Sequence, residues 1–253
     1  MNDAIRLDGK IALVTGASSG LGHRFATVLA RAGAKLALAA RRTDRLAALA
    51  DEIAGFDGRA IPLRLDVTDN AGIGAAIDLV ETELGPIDIL VNNSGVSVQR
   101  KAVDITLADY DFIMQTNARG AFFVAQAVGR RMIAHGTKGR IVNVASVAAL
   151  RVLSQLSVYC MSKAAVAHMT RALAVEWGRF GINVNAICPG YIETEMNSDY
   201  FQTDPGRKLI HMMPRRRLGR PEDLDGLILL LASDQSRFIN GAVIPIDDGL
   251  SAN

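Results

Sequence analysis

The sequence predicts an α/β protein in which helices cover both faces of a doubly wound parallel β-sheet. Three observations lead to this fold class. Short β-rich apolar runs alternate with longer helical patterns, a glycine-rich turn follows the first run, and no repeat or low-complexity linker divides the chain. At 253 residues the chain has the length of one large α/β domain. We therefore predict a single domain over residues 1–253.

The predicted strands are near-continuous apolar runs, as expected for parallel strands buried on both faces. The last run contains Pro245, which predicts an edge strand or a strand end. The stretch Thr43–Gly55 is typical of the helices: Thr43 is a candidate cap, apolar residues share one stripe, and Gly55 ends the helix. The candidate strands are Lys10–Thr15, Lys35–Ala39, Ala60–Leu65, Ile87–Val91, Arg140–Ala145, Asn183–Ile187 and Ala242–Ile246.

Residues 189–221 interrupt this alternation of strands and helices. Their pattern is irregular, with Asp204-Pro205-Gly206 as a turn signal and three consecutive arginines before Pro221. A connection of this length between a strand and a helix is more often functional than a mere connector. We therefore predict a substrate lid over residues 191–217. Its candidate apolar lining residues are Met196, Tyr200, Phe201, Met212 and Met213.

Composition and charge exclude several classes of protein. The formal net charge of +2 gives no bulk attraction to nucleic acid. Met1–Lys10 has no apolar core of signal-peptide length, and uncharged runs such as Ile141–Leu150 fall far short of the roughly 20 residues of a membrane span. Cys160 and Cys188 offer no disulfide framework, so we interpret both as packing residues. We expect a cytoplasmic protein without nucleic-acid or membrane partners.

A glycine-rich turn, Thr15-Gly16-Ala17-Ser18-Ser19-Gly20-Leu21-Gly22, joins the first predicted strand to a helix. Residues without side chains let the backbone approach a pyrophosphate, and the helix N-terminus offers N–H groups and a positive dipole end. The spacing Gly-x-x-x-Gly-x-Gly differs from the best-known dinucleotide fingerprint, and tight strand–helix turns use glycine in any case. The position of the turn after the first strand nevertheless favours a nucleotide site.

A tyrosine and a lysine share one face of a later helix. Tyr159 and Lys163 are four residues apart, which brings their Cβ atoms to roughly 5–6 Å from each other. An ammonium at that distance favours the phenolate, so we expect it to lower the tyrosine pKa from about 10 toward working pH. Tyr159 would then exchange a proton with a substrate. Alone, the pattern could be an accident of an ordinary helix, but its combination with the glycine turn favours catalysis.

Six motifs occur in order along nearly the whole chain: Thr15-Gly16-x-x-x-Gly20-x-Gly22, Asn92-Asn93-Ser94-Gly95, Asn117, Ser146, Tyr159-x-x-x-Lys163 and Pro189-Gly190. In order and spacing they resemble the short-chain dehydrogenase/reductase family. The one departure is Ser94, where the family usually has alanine. The resemblance implies a single Rossmann-like domain with a seven-stranded parallel sheet, a nicotinamide cofactor, no metal ion, and usually a homotetramer.

The resemblance also implies catalytic roles for four residues. Tyr159 would exchange the proton with the substrate oxygen, and Lys163 would hold the nicotinamide ribose and lower the Tyr159 pKa. Ser146, thirteen positions before the tyrosine, would hydrogen-bond the same substrate oxygen and orient it. Asn117 would hold a water that continues a proton relay to solvent. Without the resemblance, Ser146 could merely end a strand, and Asn117 could be a polar residue in a long helix.

The same resemblance implies a set of cofactor contacts. Asp66 would contact the adenine, although it could equally cap a helix before Asp69, and Thr194 would hold the nicotinamide carboxamide, with a similar capping alternative. The full set comprises Gly16, Ser18, Ser19, Gly20, Leu21, Gly22, Arg41, Arg42, Asp66, Val67, Asn93, Ser94, Gly95, Tyr159, Lys163, Pro189, Gly190, Ile192 and Thr194.

The choice between NADP(H) and NAD(H) depends on the end of the second strand. Family members that use NAD usually have an acidic residue at the position of Ala40. Here two arginines follow, and a guanidinium can pair with the 2′-phosphate of NADP(H), so we favour NADP(H), with Arg41 as the main determinant and Arg42 assisting. NAD(H) stays open, because Ser19 stands where many NADP-using relatives carry a second basic residue and the arginines could be a solvated pair.

We therefore predict an enzyme that transfers a hydride between NADP(H) and a small-molecule ketone or secondary alcohol, of the carbonyl reductase type. One alternative is an NAD-dependent dehydrogenase of a sugar, polyol or other secondary alcohol. A second is a reductase of carrier-bound 3-oxoacyl chains, for which Arg130, Arg131 and Lys138 would serve an acidic carrier protein. The third is a regulatory protein that senses the cofactor, but a sensor has no need of acid–base residues.

The substrate leaves few signals in the sequence. Leu150 and Leu153, in the loop after Ser146, are further candidates for an apolar wall. We interpret Arg151 in the same loop as a solvated arginine rather than a contact for an anionic substrate group. His211 is interpreted as a surface or lid histidine without a cluster of ligands for a metal ion.

Overall fold

The structure of the chain, a computed structural model, describes residues 5–195 and 198–252. In these residues seven parallel strands form one sheet with helices on both faces, which confirms the predicted fold class. The strands are β1 (Ile11–Thr15), β2 (Lys35–Ala40), β3 (Ala60–Arg64), β4 (Ile89–Asn92), β5 (Arg140–Val144), β6 (Asn183–Pro189) and β7 (Val243–Ile246). Each predicted strand is present, with ends that differ by at most two residues.

The strand order β3-β2-β1-β4-β5-β6-β7 reverses direction between β1 and β4. At such a switch point the connections leave the carboxyl ends of two neighbouring strands on opposite sides, which opens a crevice where α/β proteins bind ligands. The α-helices are α1 (Gly20–Arg31), α2 (Thr43–Ala54), α3 (Asn70–Glu83), α4 (Leu107–Met114), α5 (Ala121–His135), α6 (Ser157–Trp177), α7 (Ser198–Gln202), α8 (Asp204–Met212) and α9 (Asp225–Ala232).

The apolar core lies in two layers, one on each face of the sheet. Alternate residues of β1 belong to different layers: Val14 packs in the layer formed with α1, α2 and α9, and Leu13 in the layer formed with α3, α5 and α6. Every residue of β1, β4, β5 and β6 is buried. The near-continuous apolar runs thus correspond to strands covered on both faces, as predicted.

Three local predictions have different outcomes. Pro245 lies in β7, and β7 is an edge strand, as predicted; there the missing N–H interrupts no ladder on the open side. Thr43 does not cap α2. It is the first helical residue, and Arg42 occupies the cap position without a side-chain hydrogen bond to the helix. Gly55 follows the last residue of α2, as predicted.

The interpretation of Asp204-Pro205-Gly206 as a turn is wrong, because these residues form the first turn of α8. Thr203 caps this helix by accepting the N–H of Gly206 at 3.2 Å. Proline is tolerated at the beginning of a helix, where its missing N–H would have no intrahelical partner. The segment predicted to be irregular therefore contains two short helices, α7 and α8, in its described part.

Candidate active site

The glycine-rich turn joins β1 to α1 at the crevice. Gly16 and Gly20 have φ angles of +68° and +55°, a left-handed conformation that favours glycine. A Cβ on Gly22 would lie 2.2 Å from the carbonyl oxygen of Gly16, so the turn requires glycine there. Ser19 precedes α1 without capping it through its side chain, and the first turn has no acidic residue. The first N–H groups of α1 are therefore suited to receive a phosphate.

The residues that follow β4 are fixed against this turn. Thr15 Oγ1 accepts the N–H groups of Asn93 and Ser94 at 2.9 and 3.1 Å, and Asn93 Nδ2 donates to the Thr15 carbonyl at 3.0 Å. A Cβ on Gly95 would lie 3.3 Å from Lys163 Nζ. The carboxyl ends of β1 and β4 are thereby joined in one crevice, and the lysine amine lies beside it.

Arg42, rather than Arg41, contacts the glycine turn. Its Nη2 donates to Ser18 Oγ at 2.9 Å and to Ser19 Oγ at 2.8 Å. The Arg41 guanidinium instead lies 4.0 Å from the carboxylate of Asp66. Arg42 is thus the arginine that contacts the glycine turn, a side-chain direction that the sequence does not determine, and the role of Arg41 as the main determinant of NADP(H) binding stays a prediction.

Asp66 and Val67 follow β3 at the same edge of the sheet. Asp66 Oδ1 accepts the N–H and the hydroxyl of Thr68 at 3.0 and 2.8 Å, and the bond from the N–H does most to hold the pKa of Asp66 below its usual range. The capping alternative for Asp66 is wrong, because Asp69 caps α3 by accepting a backbone N–H at 3.1 Å. Asp66 remains a candidate for the adenine contact.

Ser146, Tyr159 and Lys163 converge beside the end of β5. Ser146 caps a short 3₁₀ turn by accepting the N–H of Ala148 at 3.1 Å, and its hydroxyl lies near enough to the Tyr159 phenol to lower the pKa of that group. Lys163 Nζ donates to the carbonyl of Val144 at 2.9 Å and lies 5.7 Å from the centre of the Tyr159 ring. The three side chains predicted to act together are therefore neighbours.

Burial has the largest effect on the pKa values of Tyr159 and Lys163. Burial raises the pKa of Tyr159 above its ordinary value, and the nearby Ser146 hydroxyl opposes this only in part, so the predicted lowering is wrong for this structure. Burial also lowers the pKa of Lys163 to about 8, because removal from water disfavours the ammonium. At neutral pH Tyr159 is therefore a protonated phenol, positioned to donate.

Asn117 lies in a π-helical segment, Gln115–Gly120, between α4 and α5 rather than in a regular long helix. Its Oδ1 accepts the N–H of Val96 at 2.8 Å, and its Nδ2 donates to the Val96 carbonyl at 2.8 Å and to Ser162 Oγ at 3.0 Å. Such π segments are rare and occur frequently at functional sites. The amide is held rigidly, and its role in a water relay stays a prediction.

The chain leaves β6 at Pro189 and turns over the crevice. A Cβ on Gly190 would lie 2.8 Å from Asp247 Cβ, so the backbone can approach the C-terminal segment this closely only with glycine. Ile192 forms an isolated parallel bridge with Gly219, which joins the beginning of the predicted lid to the residues just after it. The lid segment is therefore attached at both of its ends.

The next residues of this segment reach the cofactor side of the crevice. Thr194 lies against the glycine turn, since its Cγ2 would be 3.6 Å from a Cβ on Gly20. Glu195 accepts two hydrogen bonds from Arg45 of α2, at 3.0 and 3.4 Å, and this contact, with a smaller effect of Arg42, lowers the Glu195 pKa. Sequence reasoning missed this pair, because no local pattern relates residues so far apart.

Aromatic side chains connect the lid segment to the end of β6. The ring of Phe201 packs edge-on against Tyr191 and Tyr200, with centre distances of 6.1 and 5.4 Å. Tyr191 was not predicted, although its position directly after Pro189-Gly190 was a usable signal. It is near enough to Tyr159 to raise the pKa of that residue slightly. Of the methionine candidates, Met213 is buried, Met212 is exposed, and Met196 lies outside the described residues.

The loop after Ser146 differs from its predicted form. Leu150 is exposed and Leu153 half-buried. The interpretation of Arg151 as a solvated loop arginine is wrong, because this side chain is half-buried and donates to the carbonyl of Leu250. Cys188 is fully buried, as expected of a packing residue.

Other predicted features concern partners. Arg131 forms ion pairs with Asp78 and, at 3.7 Å, with Glu81, so the basic surface suggested for a carrier protein is partly neutralised.

His211, interpreted from the sequence as a surface or lid histidine, is exposed. In residues 5–195 and 198–252 no group of three or more histidine, cysteine, aspartate or glutamate side chains could hold a metal ion. No helix of the described chain has the length and apolar character needed to cross a membrane.

The fold and the site define the class of the protein as a Rossmann-like oxidoreductase with a serine–tyrosine–lysine centre. A family model described as Enoyl-(Acyl carrier protein) reductase matches residues 16–251. A short-chain type dehydrogenase/reductase from Mycobacterium marinum has 42% identity and a TM-score of 0.94, with 99% of each chain covered. This chain belongs to the short-chain dehydrogenase/reductase family.

Two further relatives have named activities. The D-threitol dehydrogenase of Mycolicibacterium smegmatis is 41% identical over 96% of this chain and 94% of its own length. The structure of a gluconate 5-dehydrogenase from Burkholderia cenocepacia, in complex with NADP and tartrate, is 36% identical with a TM-score of 0.94, covering 99% of this chain and 98% of that one. Such relatives support an oxidoreductase that acts on CH–OH groups.

Proposed function

We propose that this chain is an NADP(H)-dependent dehydrogenase that oxidises a secondary alcohol of a polyol or sugar acid and reduces the ketone in the reverse direction. The observation that carries the proposal is the convergence of Ser146, Tyr159 and Lys163 beside the glycine turn. The activities named for the relatives favour the sugar and polyol alternative over a carbonyl reductase for unrelated ketones. One catalytic centre serves both directions of the same reaction.

The crevice fits a dinucleotide. Left-handed glycines and the uncapped start of α1 suit a pyrophosphate, and Arg42 with the hydroxyls of Ser18 and Ser19 suits a 2′-phosphate. Ala40 brings no carboxylate to repel that phosphate. Thr194 and Asp66 are proposed to contact the nicotinamide and adenine ends. When bound, NADP(H) supplies a hydride acceptor or donor at its nicotinamide ring.

Ser146 and Tyr159 are proposed to hold the substrate oxygen between their hydroxyls. In the reducing direction Tyr159 donates its proton to the oxygen, a role that suits a phenol whose pKa is raised by burial. In the oxidising direction Tyr159 first loses that proton and then accepts the one from the substrate hydroxyl. An ammonium at Lys163 stabilises the phenolate in this second case.

Asn117 is proposed to complete the path of the proton. Its amide is fixed by Val96 and Ser162, and its Oδ1 lies 3.5 Å from where a Cβ on Gly95 would be, on the side of Lys163. A carbonyl oxygen has a second lone pair, so Oδ1 can accept from a water as well. The π-helical segment keeps this oxygen at the crevice.

Residues 191–217 are proposed to act as a lid over the substrate, because they are attached at the ends and contact the glycine turn through Thr194. A homotetramer is proposed from the family resemblance. Exposed apolar side chains on α4 and α6, such as Leu107, Phe112 and Val175, are compatible with subunit contacts. A cytoplasmic location remains a prediction that the two free cysteines support.

The experiment that tests this function measures kcat/KM for D-threitol, D-glucitol and D-gluconate with NADP⁺ and with NAD⁺, together with reduction of apolar ketones by NADPH. We expect oxidation of at least one polyhydroxylated substrate and a higher kcat/KM with NADP⁺. A higher value with NAD⁺ would contradict the cofactor assignment, and turnover of apolar ketones alone would contradict the substrate class. Ser146→Ala serves as the inactive control.

A further inference from the structure

A cavity of about 520 Å³ lies between the glycine turn and α2. Ser18 and Ser19 line it on the side of the turn. One face of α2 lines the other side, because Arg45, Leu49 and Glu52 follow one another at helical spacing and all three border the cavity. The two serines proposed to contact the 2′-phosphate of the cofactor therefore share this space with a cation of α2.

Glu195 of the lid segment borders the same cavity and holds the Arg45 guanidinium. Its two carboxylate oxygens accept hydrogen bonds from the two terminal nitrogens of Arg45, at 3.0 and 3.4 Å. A guanidinium binds a carboxylate and a phosphate through the same paired donors. The pair is accessible to water, with the Arg45 and Glu195 side chains 40% and 72% exposed, so it contributes little stability and another anion can replace the carboxylate.

The other charged groups around the cavity are less available to an anion. Arg24 is held by both carboxylate oxygens of Asp225, and His23 lies 3.2 Å from the carboxylate of Glu52. Glu52 itself is seven residues beyond Arg45 in α2, which places it about 10 Å further along the helix axis. Arg45 is therefore the cation of this cavity that most readily exchanges one anion for another.

We propose that Arg45 is a further determinant of NADP(H) binding, and that Glu195 occupies it in the free protein until the 2′-phosphate displaces this carboxylate. A phosphate monoester carries about 1.5 to 2 negative charges at pH 7 and three strong acceptor oxygens, against the single charge of a carboxylate. In the proposed site Arg42, Ser18 and Ser19 hold the same phosphate. The phosphate therefore outcompetes the single carboxylate of the lid.

The displacement also acts on the lid segment. The pair attaches Glu195 to α2, so its loss detaches the lid from α2 at this point before a substrate binds. NAD(H) has no 2′-phosphate and leaves the pair intact. The inference rests on the proposed NADP(H) dependence and deepens it, because it names both a residue that recognises the phosphate and the anion that the phosphate replaces.

The test uses two probes that differ only in the 2′-phosphate, adenosine 2′,5′-bisphosphate and adenosine 5′-monophosphate. Neither probe contains a nicotinamide, so catalysis does not affect the result. Isothermal titration calorimetry at one fixed ionic strength gives the dissociation constant of each probe. The proteins compared are the wild type, Arg45→Gln, Glu195→Gln and the double variant that combines both substitutions.

Each substitution has a control that removes the same charge elsewhere. Arg131→Gln removes a guanidinium of similar exposure, 43% against 40%, and its ion pairs with Asp78 and Glu81 join the last two turns of α5 and α3, at the opposite edge of the sheet. Glu193→Gln removes an exposed carboxylate of the lid segment two residues before Glu195.

We expect Arg45→Gln to weaken binding of the bisphosphate about 10-fold, the lower end of the range for a charge-assisted hydrogen bond, and hardly to change binding of the monophosphate. Glu195→Gln should strengthen binding of the bisphosphate by roughly 2- to 5-fold, the equivalent of an exposed ion pair. This gain should vanish in the double variant, because Glu195 acts through Arg45. Both control variants should match the wild type.

Three results would overturn the inference alone: a bisphosphate preference that Arg45→Gln leaves unchanged, equal losses for both probes in Arg45→Gln, and the absence of a gain in Glu195→Gln. A gain from Glu195→Gln that persists in the double variant would also overturn it, by showing that the carboxylate repels the phosphate without occupying Arg45. A wild type that binds both probes equally would contradict the proposed NADP(H) dependence as well.

Discussion

The two sides of the crevice are built in different ways. On the cofactor side, the glycine turn is held by Thr15 and Asn93 through hydrogen bonds to the backbone, and two of its glycines have left-handed φ angles that other residues rarely adopt. On the substrate side, short helices and loops are held by side chains, such as the pair Arg45–Glu195 and the rings around Phe201. Backbone constraints specify residue types locally, whereas side-chain pairings relate residues that are distant in the sequence.

This difference predicts different mechanical behaviour. The cofactor side belongs to buried strands whose opening requires much of the sheet to unfold, while the lid segment is exposed over most of its described residues. The cofactor side should therefore be formed before any ligand binds. The substrate side should gain most of its order on binding.

The largest expected effect on activity concerns Tyr159, which lies between the two sides of the crevice. Tyr159→Phe removes the hydroxyl that transfers the proton while it keeps the packing of the ring. We expect kcat to fall at least 10²- to 10⁴-fold, the usual contribution of general acid–base catalysis, with an NADPH dissociation constant close to that of the wild type. Steady-state kinetics and fluorescence titration check both values. Activity within a few-fold of the wild type would remove the phenol from the mechanism.

Lys163→Met should abolish turnover yet make the protein more stable. Burial lowers the lysine pKa to about 8 from its ordinary value of 10.5, so the folded state carries the cost of a buried ammonium at neutral pH. Removal of this cost, less the lost bond to the Val144 carbonyl, should raise the free energy of unfolding by roughly 1–3 kcal/mol at pH 7. Urea denaturation measures the difference.

The pH dependence of the stabilisation by Lys163→Met tests whether charge burial causes it. Below about pH 8 Lys163 is charged in both the folded and the unfolded state, so the full penalty applies. Between about 8 and 10.5 the unfolded chain binds more protons than the folded one, so raising the pH stabilises the wild type. The advantage of Lys163→Met should therefore shrink from pH 7 to pH 9.5. A constant gap would show that packing, and not charge burial, explains the stabilisation.

The two arginines after β2 test whether contacts on the cofactor side follow the observed side-chain directions. Because Arg42 contacts Ser18 and Ser19, Arg42→Ala should weaken NADPH binding by roughly 10- to 150-fold and hardly change NADH binding. Arg41→Ala is the matched control, with a smaller effect on NADPH. Titration of both cofactors decides between them, and a larger loss in Arg41→Ala would restore the ranking expected from the sequence.

The sequence was most informative where backbone geometry or chemistry demands a particular residue. The seven strands follow from apolar runs, and the resemblance correctly brought Ser146, Tyr159 and Lys163 together. The sequence was less informative where the outcome depends on opposing effects or on the direction of a side chain. The balance of burial against charge at Tyr159 is such a case, and the directions of the Arg41 and Arg42 side chains, which the sequence does not determine, also depend on neighbours from other elements.

The smallest expected effect concerns the contact between the two sides. Glu195 of the lid segment pairs with Arg45 of α2, so breaking this pair should free the lid without disturbing the glycine turn. Glu195→Gln should speed amide hydrogen exchange in the described residues of 191–217 in the absence of ligand and leave β1 unchanged. The change should be modest, because exposed ion pairs contribute little and are screened by salt.

Glu193→Gln is the control for this comparison. This substitution removes an exposed carboxylate two residues before Glu195. Glu193 forms no ion pair with another described residue. With NADP⁺ and a substrate analogue bound, exchange in the lid should slow in the wild type and in both variants, because closure then depends on ligand contacts. Equal exchange in Glu195→Gln, Glu193→Gln and the wild type without ligand would mean that the Arg45 pair does not restrain the segment. If the wild type showed equal protection of the lid with and without ligand, residues 191–217 would be a fixed wall. The two sides of the crevice would then differ in how they are held together but not in how they move.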